Sequence, residues 1–190
     1  CFRTPTTILD HWAEKYGITG LMSDDLAPHF ETVEKRLNIS RWSADRVNNN
    51  NQVIIDGASK LGWEYNLTKR NVRGCVTSGY CGMGCPISAK QGMLVTYIPD
   101  ALRNGLRIYA DTRADIIEYE GSKATSVLAT VYDPNTHQPT DIQLQINAKI
   151  IVSSCGAING PALFLRSNLN FNERVGLRTF IHPVVGVASV

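Results

Sequence analysis

Apolar residues recur at three- and four-residue intervals through the first seventy positions, and at alternate positions through much of the chain beyond 106. In "TTILDHWAEKYG", Ile8, Leu9, Trp12 and Tyr16 fall on one helical stripe behind a threonine cap, and Gly17 suits the left-handed residue that closes a helix. "SDDLAPHFETVEKRLN" repeats the arrangement. Ser23 is its cap, Asp24 and Asp25 occupy the first turn where the helix dipole favours negative charge, and Leu26, Phe30, Val33 and Leu37 share one face. The polar, asparagine-rich "RWSADRVNNNNQ" predicts a loop, and a third helix runs through Ile54, Ala58 and Leu61 to Gly62. In "SAKQGMLVTYIPDALRNG", Pro99 suits the first turn of a helix that ends at Gly105.

From 106 the pattern predicts strands in "LRIYADTRADIIEYE", "ATSVLATVYDP" and "DIQLQINAKIIVSSCG", separated by the turn residues of "EGSK" and "DPNTHQPT". "VLATVY" and "IQLQIN" alternate as a two-faced antiparallel ribbon does. "KIIVSSCG" is a continuous apolar run ended by small residues, which reads as a buried parallel strand entering the helix "NGPALFLRS", which ends near Ser167. The expected arrangement is therefore a β-meander over 113–149 inserted between parallel strands at 106–111 and 149–154. The class is α/β, in part α+β, with a division between lobes near residue 70.

Composition changes this picture little. With 190 residues and 43% hydrophobic content the chain can bury an ordinary core, and length allows one domain or two small ones. The 19 basic and 17 acidic residues are scattered without a basic run, which speaks against a nucleic-acid or anionic-membrane partner. No stretch reaches the ~18 apolar residues of a membrane helix, and "CFRTPTTILDHW" lacks the parts of a signal peptide. Five cysteines in a chain with an adequate core point to a reducing compartment, so a cytoplasmic location is expected. The chain opens at Cys1 without a methionine and stops inside the apolar "HPVVGVASV", which reads as an excerpt of a longer protein.

Two segments carry candidate chemistry. A buried strand running into Gly156-Ala157 and then a helix is how open α/β sheets bring backbone amides beside a nucleotide, although a purely structural turn has the same appearance. No G-x-G-x-x-G and no phosphate loop of the Gly-Lys-Ser/Thr type is present, so the pyrophosphate of any dinucleotide would be held outside this chain. The other segment is "GCVTSGYCGMGCPISAK", in which Cys75, Cys81 and Cys85 form Cys-x5-Cys-x3-Cys-Pro. Disulfides have no compartment in their favour, and a closed zinc site lacks a nearby histidine. The Cys-Pro ending and glycine-freed amides suit an iron-sulfur cluster, while small thiols can equally fill buried gaps.

The run "AKIIVSSCGAINGPALFLRSNL", followed by "VGLRTFIHP", resembles the second signature of the glucose-methanol-choline oxidoreductases, flavoenzymes that oxidise alcohols. "CGMGCPISAKQGMLVTYIPDALRNGLRIYADTRADII" and "CFRTPTTILDHWAEKYGITGLMSDDLAPHFETVEKRL" resemble other parts of the same family, so the likeness covers essentially the whole chain. Gly160, Phe164 and Asn168 depart from the signature, where the family has Ser or Thr, an aliphatic residue and glycine, and mark a divergent subfamily nearest the long-chain-alcohol and bacterial dehydrogenase branches.

The resemblance implies a Rossmann-like FAD-binding lobe with an inserted meander over 71–183. It also implies a mainly helical, substrate-side lobe at 1–70 and a return towards the substrate domain at 184–190, opened by His182-Pro183. It implies FAD as cofactor, with adenine held by the main chain of Ala114 and the adenosine half lying along Gly156 and Ala157. A small-molecule alcohol would be the substrate, with an electron acceptor that the resemblance leaves unspecified. The family's catalytic histidine and its histidine or asparagine partner have no counterpart here, so no catalytic residue is expected in this chain and the isolated chain is expected to be inactive. His11, His29 and His137 read as structural or solvated. The cysteine run is similar to one that holds a three-iron cluster in certain FAD-dependent glucose dehydrogenases of the family. That likeness keeps an alternative, an iron-sulfur or metal-binding electron-transfer module on Cys75, Cys81 and Cys85, beside the alcohol oxidoreductase. A non-catalytic α/β interaction domain is the plainest third reading.

Overall fold

Each helical rhythm of the sequence becomes a helix, and the caps explain where each begins. The computed structural model describes residues 2–180, 183, 184 and 186. Helix α1, Thr6–Tyr16, starts behind Pro5, whose ring presets the backbone, with no side-chain cap; the threonine expected to cap it lies inside the first turn. Helix α2, Ser23–Arg36, takes Met22 as its cap residue, so Ser23 is already helical. The Asp25 carboxylate fills the cap's role by accepting the Met22 N–H at 3.0 Å. The asparagine run is not all loop: Asn48 accepts the Asn51 N–H at 3.0 Å and thereby starts helix α3, Asn49–Leu61. Helix α4, Tyr97–Arg103, carries Pro99 in its first turn as expected.

Two short strands that periodicity could not show, β1 (Ile39–Arg41) and β2 (Lys69–Asn71), pair antiparallel. β2 leads into a further antiparallel stretch in which the Arg73 and Gln91 N–H groups donate to Ala89 and Asn71 carbonyls at 2.8 Å each. Residues 74–88, the cysteine segment, are a loop pinned at both ends by this pairing. Arg36 of α2 donates to Asp100 of α4, and Arg103 pairs with the same carboxylate. These elements form one compact unit, Cys1–Arg107, whose buried apolar side chains include Leu9, Leu37 and Ala89. The rest of the α1 stripe, Ile8, Trp12 and Tyr16, remains exposed.

The second unit, Ile108–Val190, is the meander and one helix. Strands β3 (Thr112–Glu120), β4 (Lys123–Tyr132) and β5 (Pro139–Asn147) form an antiparallel sheet in the order β3-β4-β5, and helix α5, Gly156–Arg166, packs on β3. Ile117, Ala129 and Leu163 are its buried apolar core, with Ser126 and Ser167 buried among them. α5 ends in a Schellman turn. Leu169 N–H reaches the Phe164 carbonyl at 2.9 Å and Asn168 N–H the Leu165 carbonyl at 3.2 Å. Asn168 holds φ 56, the left-handed conformation that glycine would take and that asparagine tolerates among side-chain-bearing residues.

The parallel strands expected at 106–111 and 149–154 do not form. Residues 149–154 pair with no described strand, 106–111 meet one no further than the bond from the Tyr132 N–H to the Asp111 carbonyl at 2.7 Å, and Ile150 and Val152 are 81% and 78% exposed. A continuous apolar run becomes a central strand only where neighbours saturate its backbone on both edges, and the meander's edges supply none to it. The mixed α/β class holds. The line drawn at residue 70 from the change of rhythm does not coincide with the division at 107/108, because the 71–73/89–91 pairing ties the cysteine loop to β2.

Candidate functional site

The edge of β3 facing α5 is built from a bulge. Ala114 pairs with Ala129 and Ile116 with Leu128, leaving Asp115 as the extra residue. The bulge turns two successive carbonyls towards α5, where Arg166 takes both, Nη2 donating to Ala114 O at 3.2 Å and Nε to Asp115 O at 3.1 Å. Two residues on, the Ile117 N–H donates to Ser167 Oγ at 2.9 Å, and that hydroxyl donates to the Leu163 carbonyl at 2.7 Å. The Asp115 side chain is gripped by Arg113 Nε at 2.6 Å and by the Thr130 hydroxyl. Burial pushes its carboxyl up, but the Thr130 and Arg113 hydrogen bonds and the charges of Arg113 and Arg166 outweigh it and hold the group below the usual carboxylate range.

Ala114 therefore lies against the last turn of α5, and Gly156 and Ala157 open the first. Ten residue steps of helix separate the two ends, about 15 Å at the usual rise. The three residues do not form one cluster, and a ligand reaching all of them would lie extended along α5. Gly156 holds φ 78, and a β-carbon built there would meet no atom within 4 Å. Cys155 gives no side-chain cap, so the first-turn amides of α5 keep their donors at the positive end of the helix dipole. This open backbone fits the approach of a nucleotide. Arg166 and Ser167 escaped the sequence reading; their signal was a cationic and a hydroxyl residue together at a helix end.

The cysteines do not converge. Cys75 Sγ accepts the Thr77 N–H at 3.4 Å, and Cys81 Sγ accepts from Arg70 Nη2 at 3.3 Å. Cys85 faces its own turn, where the Lys90 backbone N–H lowers the thiol's pKa. Burial opposes that effect, and the Ile87 and Ala89 N–H groups and the Lys90 charge add to it. Among the described residues no three His, Cys, Asp or Glu side chains are placed to hold a metal ion, so the donor set for an iron-sulfur cluster on Cys75, Cys81 and Cys85 is not assembled. His11 packs edge-on against Tyr16, and His137 sits in the β4–β5 turn at φ 56. His182, with most of the expected return segment 184–190, lies outside the described residues. No described helix is long and apolar enough to cross a membrane.

A family profile for GMC oxidoreductases matches residues 1–184. An uncharacterized GMC-type oxidoreductase of Sinorhizobium fredii is 31% identical over 188 residues, covering 99% of this chain and 36% of its own length. One of Mycobacterium tuberculosis is 27% identical over 190 residues, covering 100% of this chain and 29% of its own. A long-chain-alcohol oxidase of Arabidopsis thaliana is 29% identical over 194 residues, covering 97% of this chain and 25% of its own. No solved structure gives a significant match. The chain belongs to the GMC oxidoreductases, as the second-signature resemblance implied. It spans between 25% and 36% of the length of these curated relatives.

Proposed function

We propose that this chain is the part of an FAD-dependent alcohol oxidoreductase that receives the adenosine half of the flavin. The observation that carries the reading is the family match across residues 1–184, which includes similarity to long-chain-alcohol oxidases. The geometry of the second unit is compatible with it. The amides at Gly156 and Ala157 would meet the polar part of the nucleotide, the main chain of Ala114 would hold adenine, and Arg166 and Ser167 keep the β3 edge and α5 in fixed register. The hydride acceptance that the activity needs is supplied by FAD when bound. This chain's residues bind and orient, and the proton-accepting histidine of the family lies outside them. The lobe assignment, substrate side at 1–70 and flavin side at 71–183, belongs to the same proposal.

The test is retention of flavin by the full-length protein. Flavin absorbance should comigrate with the protein on gel filtration, and primary alcohols should reduce an artificial electron-accepting dye. Gly156→Val places a β-branched residue at φ 78, where side-chain-bearing residues pay about 1–2 kcal/mol, and fills the open backbone. It should strip most of the flavin. A full-length protein that holds no flavin, even after reconstitution with FAD, would overturn the reading, and a Gly156→Val protein that keeps its flavin would remove Gly156 from the site.

A further inference from the structure

The first unit contains a solvent-open pocket of about 380 Å³ whose walls come from the segment after β1, the start of α3, the approach to β2 and the cysteine loop. Its lining includes two guanidinium groups, Arg46 and Arg70, and no carboxylate. Among the described residues neither arginine has an acidic partner within ion-pair distance; Asp45, next to Arg46 in the chain, is turned to the Ser43 hydroxyl. Both arginines are nevertheless held in place. Arg70 lies over the Trp42 ring at 4.4 Å while donating to Cys81 Sγ. Arg46 Nη1 donates to the Cys75 carbonyl at 2.9 Å, and its own carbonyl accepts from Trp42 Nε1 at 2.9 Å.

A guanidinium has five donors, and here each engages one neutral acceptor of the loop, in one case a weak one, which leaves most of the fork for a ligand. The start of α3 adds to the same sign of potential. Val47, Asn48 and Asn51 line the cavity at the positive end of a 13-residue helix. The remaining wall mixes an apolar and aromatic group, Ile54, Ile55, Tyr65 and Leu67 beside Trp42, with the polar Asn66, Thr68 and Thr77.

We propose that this cavity binds a small molecule with a carboxylate head and an apolar body, the head on Arg46 and Arg70. At roughly 30 Å³ per water-sized group, the volume corresponds to about a dozen non-hydrogen atoms, the size of a medium-chain fatty acid. Two fixed cations without a countercharge reward an anion, and the aliphatic wall rewards a tail that inorganic anions lack.

Calorimetric titration of the intact protein with octanoate, octanamide and inorganic phosphate tests each element, octanamide being the neutral analogue that is no alcohol substrate. Octanoate should bind at least about tenfold more tightly than either of the others, with its affinity falling as salt rises. Arg70→Gln and Arg46→Gln should each weaken octanoate by about tenfold and leave octanamide unchanged. Equal binding of octanoate and octanamide would overturn the role of the arginines. Equal binding of octanoate and phosphate would overturn that of the apolar wall, and no octanoate binding would overturn the site. The ligand comparison is made on the unaltered protein, so it stands even where a variant misfolds, and none of these readouts depends on flavin.

Discussion

Ser167→Ala removes one oxygen, and the structure says which group suffers. The Ser167 hydroxyl is a relay that accepts from Ile117 N–H of β3 and donates to the Leu163 carbonyl of α5. The Leu163 carbonyl also accepts the Ser167 N–H at 3.0 Å, so it keeps a partner in the variant. The Ile117 N–H does not. Ile117 and Ser167 are each only 4% exposed, so water reaches neither, and among the described residues β3 is an edge strand with no second neighbour to offer a carbonyl. The cost is that of one orphaned buried amide, about 1–3 kcal/mol, or roughly a 5- to 150-fold loss in the folded-to-unfolded ratio of the second unit. Urea denaturation followed by circular dichroism reads the total, and amide hydrogen exchange at Ile117 reads the place. Protection there should fall by a similar factor, and Ser167→Thr, which keeps the hydroxyl, should recover most of it. A Ser167→Ala protein with an unchanged midpoint and unchanged Ile117 exchange would refute the idea that this hydroxyl joins α5 to the sheet.

Two further outcomes follow from charge. The Asp115 carboxyl is held below its ordinary value in the folded state, so its stabilising share is present above about pH 4, the unfolded carboxylate value, and is lost as pH falls through the lower folded value. Asp115→Asn should therefore flatten the decline of the urea midpoint between pH 5 and pH 2, and parallel declines in both proteins would contradict the Arg113 and Thr130 grip. The Cys85 thiol, lowered by the Lys90 N–H, should show a half-maximal rate of iodoacetamide alkylation below the ordinary thiol value of about pH 8.5, read by peptide mass spectrometry; a midpoint at or above that value would remove the role of the turn amides.

The contrast between α1 and residues 149–154 shows how much of this fold was legible in the sequence. An α-helix satisfies its hydrogen bonds within its own segment, so Ile8, Leu9, Trp12 and Tyr16 at helical spacing, closed by Gly17, were enough to announce α1. The hairpins of the meander were legible for a related reason: their partners are adjacent in the chain and their turns carry glycine, aspartate and asparagine. "KIIVSS" has an equally clear pattern, but a central strand is made by neighbours that the pattern does not specify, and without them the run stays exposed.

The sites divide in the same way. Sequence by itself determined the helices, the meander, the family signature and the glycine that opens α5, because each rests on contacts between residues close in the chain or on a fixed local order. Only the tertiary structure decided the direction of the cysteines. Spacing placed Cys75, Cys81 and Cys85 within eleven positions, but the pairing of 71–73 with 89–91 folds their loop so that two thiols line the arginine cavity while Cys85 faces its own turn. Trp42, Arg46 and Arg70 meet for the same reason: separated by up to 28 positions along the chain, they are brought together by the β1–β2 pairing and the loop it carries, and backbone pairing at a distance leaves no periodic trace in the residues it joins.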